Sequence, residues 1–207
     1  MTAVTVTEPI PHHEDPITIG RRWRAGVILL IVADAAFVGS LVFSYFYLRG
    51  LNTSGAWMAK HGSGAPIWFP WFIALIVVLS AGAYRWGQVG IHAGRVSRLP
   101  VGAGIAVLLL AVDIVVQVIQ LGSLPFALKD SSYTSSVYVL GGANLFHLLV
   151  TFFIGLGLWN RSRLNLYTTT EDWQVRVVGI WWNWIAIAAI VSAIPTSFIA
   201  SPNHLTG

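Results

Sequence analysis

The sequence contains no cysteine among its 207 residues. Disulfide bridges, thiolate metal sites and cysteine chemistry are therefore excluded. Charged residues make up only 10% of the chain, against about 25% in a typical soluble domain. Hydrophobic residues make up 56%, and a soluble fold of this length could not remove so much apolar surface from water. The composition therefore predicts an integral membrane protein.

The distribution of the basic residues argues against nucleic-acid binding, although the net charge is +4. These residues lie at the ends of apolar segments, which is the pattern of membrane topology rather than of a nucleic-acid surface. The first twenty residues are polar and lack the apolar core of a secretory signal. We therefore expect residues 1–20 to form a mobile tail and expect no nucleic-acid partner.

Five apolar segments are long enough to cross about 30 Å of hydrocarbon. They cover residues 25–48, 68–90, 100–124, 135–159 and 177–199. Tryptophan and tyrosine cluster at several segment ends, as they do at membrane–water interfaces. The pattern predicts an all-α integral membrane bundle of five transmembrane helices in one domain, residues 21–200, followed by a short external tail, residues 201–207.

Five spans divide the basic residues unequally between the two sides of the membrane. The side that includes the N-terminus contains nine arginines: Arg21, Arg22, Arg24, Arg85, Arg95, Arg98, Arg161, Arg163 and Arg176. The other side contains three basic residues: Arg49, Lys60 and Lys129. Because basic loops stay in the cytoplasm, the division predicts a cytoplasmic N-terminus and an external C-terminus.

Asp34 lies in the middle of the first apolar segment. A carboxylate at that depth costs several kcal/mol unless it is partnered or protonated. Two interpretations are open. Asp34 is a carboxylate that acts in proton transfer or lipid binding, or it is a buried neutral acid hydrogen-bonded to a neighbouring helix.

Further polar residues lie in the third, fourth and fifth segments. Asp113, Gln117 and Gln120 have the i, i+4, i+7 spacing of one helix face, so that face must point at protein, as a hydrogen-bonded interface or as a polar pathway. Asn144 and His147 of the fourth segment could meet Asn183 of the fifth. One imidazole and two amides make a poor metal site, so we expect no metal in this chain.

Several short motifs occur in order along the chain. Residues 33–37 read Ala-Asp-Ala-Ala-Phe, residues 44–49 read Ser-Tyr-Phe-Tyr-Leu-Arg and residues 124–126 read Leu-Pro-Phe. Residues 130–133 read Asp-Ser-Ser-Tyr, residues 141–147 read Gly-Gly-Ala-Asn-Leu-Phe-His, and residues 181–184 read Trp-Trp-Asn-Trp. In order and spacing this series resembles the short, five-helix form of haem-copper oxidase subunit III.

The chain also departs from that family. Asp34 matches the family's membrane glutamate, Gln117 its glutamine and His147 the second of two histidines, whereas Asp113 has no recognised counterpart. At five further positions the family's Glu, Tyr, His, His and Asp are replaced here by Gln120, Leu121, Asn144, Asn183 and Ala186. Most replacements keep hydrogen bonding and remove charge, which indicates a diverged branch.

The resemblance implies a non-catalytic subunit III of a proton-pumping terminal oxidase that reduces oxygen to water. Haem and copper would lie in partner subunits, subunit I above all, with subunit II and further small subunits. The chain itself would contain no redox centre, would bind structural phospholipid in a cleft and would support assembly and proton uptake. We expect it in a bacterial or archaeal plasma membrane.

Two sets of candidate site residues follow from these positions in the spans and from the resemblance. The intramembrane set, linked to protons or lipid, comprises Asp34, Asp113, Gln117, Gln120, Asn144 and His147. The set for lipid phosphates or partner carboxylates comprises Arg49, Arg85, Arg95 and Arg98, although each arginine could equally be a topology anchor. The alternatives are an accessory subunit of a nitric oxide reductase and a stand-alone transporter or channel lined by the polar residues. The absence of an internal repeat counts against a transporter.

Overall fold

The computed structural model describes residues 15–52, 55–58 and 64–199. They form five α-helices: α1 (Pro16–Leu51), α2 (Trp68–His92), α3 (Arg98–Gly122), α4 (Ser132–Arg163) and α5 (Trp173–Thr196). All five are long and apolar enough to cross a membrane, and no strand occurs within these ranges. The predicted all-α bundle of five membrane-spanning helices is confirmed.

The N-terminal end of α1 differs from the predicted boundary. The side chain of Asp15 accepts a hydrogen bond from the backbone N–H of Ile17, and Pro16 occupies the first turn, where proline is favoured. The helix therefore begins at Pro16, so residues 16–20 do not belong to a tail. Residues 1–14 and 200–207, as well as Lys60, lie outside the described part of the chain, and the predicted tails stay predictions.

The central helix of the bundle is α5, which packs against α1, α2 and α4. The helices α2 and α3 lie side by side, and α3 also packs against α4. Within the described ranges, α1 contacts only α4 and α5 and not α2, its neighbour along the chain. α1 is therefore a peripheral helix with most of its surface turned outward.

The helices α2 and α3 approach each other closely at two glycines. A Cβ atom added to Gly102 would lie 2.7 Å from the carbonyl oxygen of Ala83 and 2.8 Å from the Cα of Gly87. Real side chains do not tolerate such distances, so only glycine at position 102 allows this approach. Small residues at helix contacts are typical of membrane proteins, where close backbone packing contributes to association.

Trp182 connects α5 to the interior of the bundle. Its ring is fully buried and stacks on Tyr84 of α2 with the ring centroids 4.6 Å apart. Its Nε1 donates to Ser80 Oγ at 3.0 Å, and that hydroxyl donates to the carbonyl of Ala106 on α3 at 2.9 Å. One hydroxyl, which donates one hydrogen bond and accepts another, therefore joins three helices.

Contacts at the two ends of the bundle fix which helix termini lie together. Trp23 near the start of α1 stacks on Trp173 at the start of α5, with centroids 5.8 Å apart. His92 at the end of α2 lies 3.2 Å from Asp172, which precedes α5. These contacts form the arginine-rich end, whereas Arg49 lies at the other end, over the ring of Phe198. The cytoplasmic location of the arginine-rich end stays a prediction.

Candidate functional site

Asp34 of α1 is bonded to both of the helices that α1 contacts. Its Oδ1 lies 2.9 Å from Nε2 of His147 on α4, and its Oδ2 accepts a 2.6 Å hydrogen bond from Nε1 of Trp184 on α5. The side chain of Asp34 is 14% exposed and that of His147 only 4%. Both carboxyl oxygens are therefore occupied, and one side chain joins three helices inside the bundle.

The hydrogen bonds continue from this group along α4. The backbone carbonyl of His147 accepts from Thr151 Oγ1 at 2.8 Å. The same hydroxyl accepts from Nε1 of Trp181 on α5 at 3.0 Å. The ring of Phe37 covers the His147 ring edge-on, with centroids 6.4 Å apart. The imidazole is thus fixed by polar contacts on one side and an aromatic ring on another.

A second polar group joins α3 to α4. Asn144 Nδ2 donates to Gln117 Oε1 at 2.7 Å, and Gln117 Nε2 donates to Gln120 Oε1. All three side chains are buried. They border a cavity of about 30 Å³, which has room for one water molecule. Because Asn144 and His147 lie one turn apart on α4, the two polar groups are neighbours.

Asp113 is fully buried on the same face of α3 as Gln117 and Gln120. The prediction that this polar face points at protein is confirmed for all three residues. Neither carboxyl oxygen of Asp113 has a hydrogen-bond partner among the described residues. Asp113 therefore differs from the two glutamines, whose side chains are bonded to each other and to α4.

The expected meeting of Asn183 with Asn144 and His147 is wrong. Asn183 is exposed on the outer surface of α5, and Trp184 bonds to Asp34 instead. One residue turns the side-chain direction by about 100° in an α-helix, so adjacent residues of the Trp-Trp-Asn-Trp motif point to different surroundings. The described residues contain no cluster of three or more His, Asp or Glu side chains placed to bind a metal.

A cleft of about 600 Å³ opens between α1, α4 and α5 at the arginine-rich end of the bundle. Its walls are mainly apolar and aromatic, and they include Trp23, Gly26, Leu30, Ile154, Gly157 and Trp181. The two glycines widen it, since a Cβ atom at either would meet nothing within 4 Å. We call this space the membrane cleft.

Polar groups line the membrane cleft where it approaches the arginine-rich surface. They are Arg161, Tyr167 and Gln174. The hydroxyl of Tyr167 donates to Gln174 Oε1 at 2.9 Å. Burial raises the pKa of Tyr167 above its usual value, while the neighbouring Arg161 lowers it. The phenol stays neutral near pH 7, so Arg161 provides the positive charge of this end of the cleft.

A second, basic pocket of about 250 Å³ lies beside the membrane cleft and shares Trp173 and Val177 with it. Arg21 and Arg24 of α1 and Arg176 of α5 line it. Asp172 also faces the pocket, but its buried carboxylate accepts a 2.8 Å hydrogen bond from Arg176 Nε. The pocket therefore has an excess of positive charge.

The arginines singled out from the sequence lie elsewhere. Arg85 donates to Gln88 Oε1 at 2.9 Å, and the guanidinium of Arg98 lies 5.3 Å from the centre of the Trp86 ring. Arg95 is exposed, and Arg49 lies over Phe198 at the opposite end. None of the four lines the membrane cleft or the basic pocket. The arginines that do were recognised in the sequence only as topology signals.

The family model and three relatives that match this chain all carry the same description. A family model described as cytochrome c oxidase subunit III matches residues 5–191. The chain is 26% identical over 181 residues to cytochrome c oxidase subunit 3 of Prototheca wickerhamii. The aligned region covers 84% of this chain and 66% of the relative. The chain is 28% identical over 182 residues to that of Arabidopsis thaliana, with 84% and 65% covered.

A relative of more similar length comes from Thermostichus vulcanus. Its cytochrome c oxidase subunit 3 is 22% identical to the chain over 167 residues, which is 80% of this chain and 82% of the relative. By contrast, the chain spans slightly less than two thirds of the length of the Prototheca wickerhamii and Arabidopsis thaliana relatives.

Proposed function

The chain belongs to the cytochrome c oxidase subunit III family, and we propose that it is the non-catalytic subunit III of a proton-pumping haem-copper terminal oxidase. The complex reduces oxygen to water, and its haem and copper lie in other subunits. Subunit I, the catalytic subunit, is the main partner, with subunit II and further small subunits. In this proposal the chain supports assembly, lipid binding and proton uptake.

The membrane cleft supports the proposed lipid role. Its apolar walls suit acyl chains, and its volume of about 600 Å³ is that of a site for a sizeable ligand. The arginines at its basic end suit a phosphate, which guanidinium groups bind with two parallel hydrogen bonds. Arg161 and the three arginines of the basic pocket therefore replace Arg49, Arg85, Arg95 and Arg98 as our candidates for headgroup contacts.

The single observation that carries the proposal is the position of Asp34. It lies one helical turn beyond Leu30, a wall residue of the membrane cleft, and it is bonded to His147 and Trp184. Asp34 Oδ1 and His147 Nε2 lie 2.9 Å apart, so a single hydrogen-bonded proton can lie between them. We assign to this pair the proton-linked or lipid-linked role.

The remaining polar residues have a supporting role in the proposal. Gln117, Gln120 and Asn144 are bonded to one another and fix α3 against α4 next to His147. Asp113 lies on the same face of α3 without a bond to these amides, and we keep it as a candidate for the proton-linked or lipid-linked role because it is an acid inside a span. A cavity of about 30 Å³ beside the amides is too small for a solute pathway, which does not favour the transporter alternative.

The proposed location is the plasma membrane of a bacterium or archaeon. Five apolar helices and the alignment with 82% of the Thermostichus vulcanus relative support a short, five-helix subunit of a membrane complex. In this location the arginine-rich end of the bundle faces the cytoplasm.

Affinity purification in a mild detergent tests the proposal. The tagged chain is purified from its own membranes, and the reduced-minus-oxidised optical spectrum and the co-purifying proteins are recorded. We expect haem bands and a large multi-span partner, and oxygen consumption by the purified complex. The control is the untagged chain taken through the same resin. A colourless chain without a haem-binding partner would contradict the proposal, and nitric oxide reduction without oxygen reduction would favour the reductase alternative.

A further inference from the structure

Asn183 is an exposed amide in the middle of a membrane-spanning helix. It lies near the centre of α5 (Trp173–Thr196), at least about 15 Å from either end at 1.5 Å per residue. Its surroundings on the outer face of α5 are apolar: Ile187, Ile190 and Ile194 are all exposed. At this depth neither water nor a lipid headgroup is close enough to form a hydrogen bond with an amide.

The Asn183 side chain makes no hydrogen bond within the part of the chain that the structure describes. Two exposed hydroxyl groups of the spans, by contrast, are bonded within their own helix. On α1, Ser40 Oγ donates to the carbonyl of Phe37 and Ser44 Oγ to that of Ser40. An amide without a partner in hydrocarbon costs several kcal/mol, so the geometry indicates that something else bonds Asn183 in the membrane.

The face with Asn183 is separate from the membrane cleft. Trp181 lines the cleft, and two residues along a helix turn the side-chain direction by about 160°. A partner on the Asn183 face therefore leaves the cleft open to lipid. The two sides of α5 can serve different neighbours at the same time.

We infer that the outer face of α5, with Asn183 at its centre, docks a transmembrane helix of another oxidase subunit that presents a hydrogen-bonding side chain at mid-membrane depth. The inference rests on the proposed function, since it requires that the chain belongs to a complex. Interhelical hydrogen bonds of this kind stabilise helix association in membranes. The three isoleucines beside Asn183 provide the apolar contact around the amide.

Photo-crosslinking in native membranes tests the docking face. A benzoylphenylalanine is placed at position 183 and, as a matched control, at position 108 of α3. Leu108 is 65% exposed and lies as many residues after the start of α3 as Asn183 after the start of α5. The described outward residues of α3 are apolar, so we expect lipid adducts at position 108 and a crosslink to another oxidase subunit at position 183.

Two substitutions of Asn183 show whether docking depends on the hydrogen bond of the amide or only on the shape of the face. Asn183→Leu is expected to weaken retention of the chain in the purified complex by roughly 3- to 30-fold, the range for one interhelical hydrogen bond. Asn183→Gln, which keeps the amide, is expected to retain the chain better than the leucine variant. Equal retention of both variants and the unchanged chain would overturn the inference.

The crosslinking outcomes also distinguish this inference from the proposed function. If haem-containing subunits co-purify but position 183 yields only lipid adducts, or the same products as position 108, the docking face is wrong and the proposed function stands. A product made of two copies of this chain would overturn the inference in favour of a dimer face. If no haem-containing subunit co-purifies, the proposed function itself fails.

Discussion

His147 Nε2 of α4 and Asp34 Oδ1 of α1 lie 2.9 Å apart, although the two residues are separated by 113 positions in the sequence. The pair occupies the membrane interior, where an unpartnered carboxylate costs several kcal/mol. A hydrogen bond from Trp184 completes the coordination of the carboxyl. The geometry explains how a peripheral helix retains an acid in the middle of its span.

Asp34→Asn is expected to leave the complex assembled but to weaken lipid retention or sustained turnover. The substitution keeps the size of the side chain and replaces one of the two oxygens that His147 and Trp184 contact with an NH2 group. The measurements are bound phospholipid by mass spectrometry and the decay of oxygen consumption during turnover. Asp130→Asn, a change at an exposed residue outside the helices, is the control. Unchanged lipid and unchanged decay in both variants would contradict a role of Asp34.

Asp113→Val is expected to stabilise the bundle by about 1–3 kcal/mol, because it removes a buried carboxyl that has no hydrogen-bond partner among the described residues. The measurement is the thermal unfolding midpoint in detergent. Gln117→Leu serves for comparison and should lower the midpoint, since it leaves Asn144 and Gln120 without their shared partner. A valine variant that unfolds at a lower temperature than the unchanged chain would contradict this prediction.

Gly102→Ala is expected to destabilise the bundle by about 1–3 kcal/mol, because the added methyl group forces α2 and α3 apart. Gly82→Ala is the matched control. A Cβ atom there meets nothing within 4 Å, and alanine favours the helix by up to about 1 kcal/mol. Thermal unfolding of both variants measures the difference. Equal midpoints would mean that the two helices are not packed through these glycines.

Gly157→Leu is expected to fill part of the membrane cleft and to reduce the lipid that co-purifies with the chain. Gly142→Leu is the control on the same helix: a Cβ atom at Gly142 also meets nothing within 4 Å, but Gly142 does not line the cleft. Bound phospholipid is counted by mass spectrometry. Equal amounts of bound phospholipid in the two variants would show that the membrane cleft is not the site of lipid binding.

A reporter fused after Gly207 is expected to read as external. The nine arginines on the other side of the membrane are the reason, since basic segments are retained in the cytoplasm. Paired fusions of alkaline phosphatase, active outside, and a fluorescent protein, active inside, give the answer. A cytoplasmic reading at Gly207 would show that the orientation is inverted.

The five helices could be predicted from the sequence because a single property, hydropathy over some twenty residues, decides whether a segment spans the membrane. The same reasoning placed the polar face of α3 against protein, since Asp113, Gln117 and Gln120 could not face lipid. Both predictions depend on local spacing alone. They therefore did not require knowledge of how the helices are arranged.

The contacts of the site could not be predicted in this way. Trp184 was recognised only as part of an aromatic cluster, and its bond to Asp34 spans 150 residues. Whether Trp184 or Asn183 faces the interior depends on the rotation of α5 about its axis. Because hydrophobic residues occur on every side of α5, the sequence does not specify that rotation. Arg161 was missed for a related reason. Its sequence context signals topology, while the membrane cleft beside it exists only after α1, α4 and α5 pack.

The lack of contact between α1 and α2 has a consequence for biosynthesis. Of the five helices α1 is made before the others, yet the two helices it packs against, α4 and α5, are made last. The partner of Asp34 on α5 is synthesised 150 residues later, which takes roughly 8–30 s at the usual speed of translation. During that interval the nascent chain contains an acid without its native partners. We expect a membrane chaperone, or another subunit that is already in the membrane, to bind α1 during that interval.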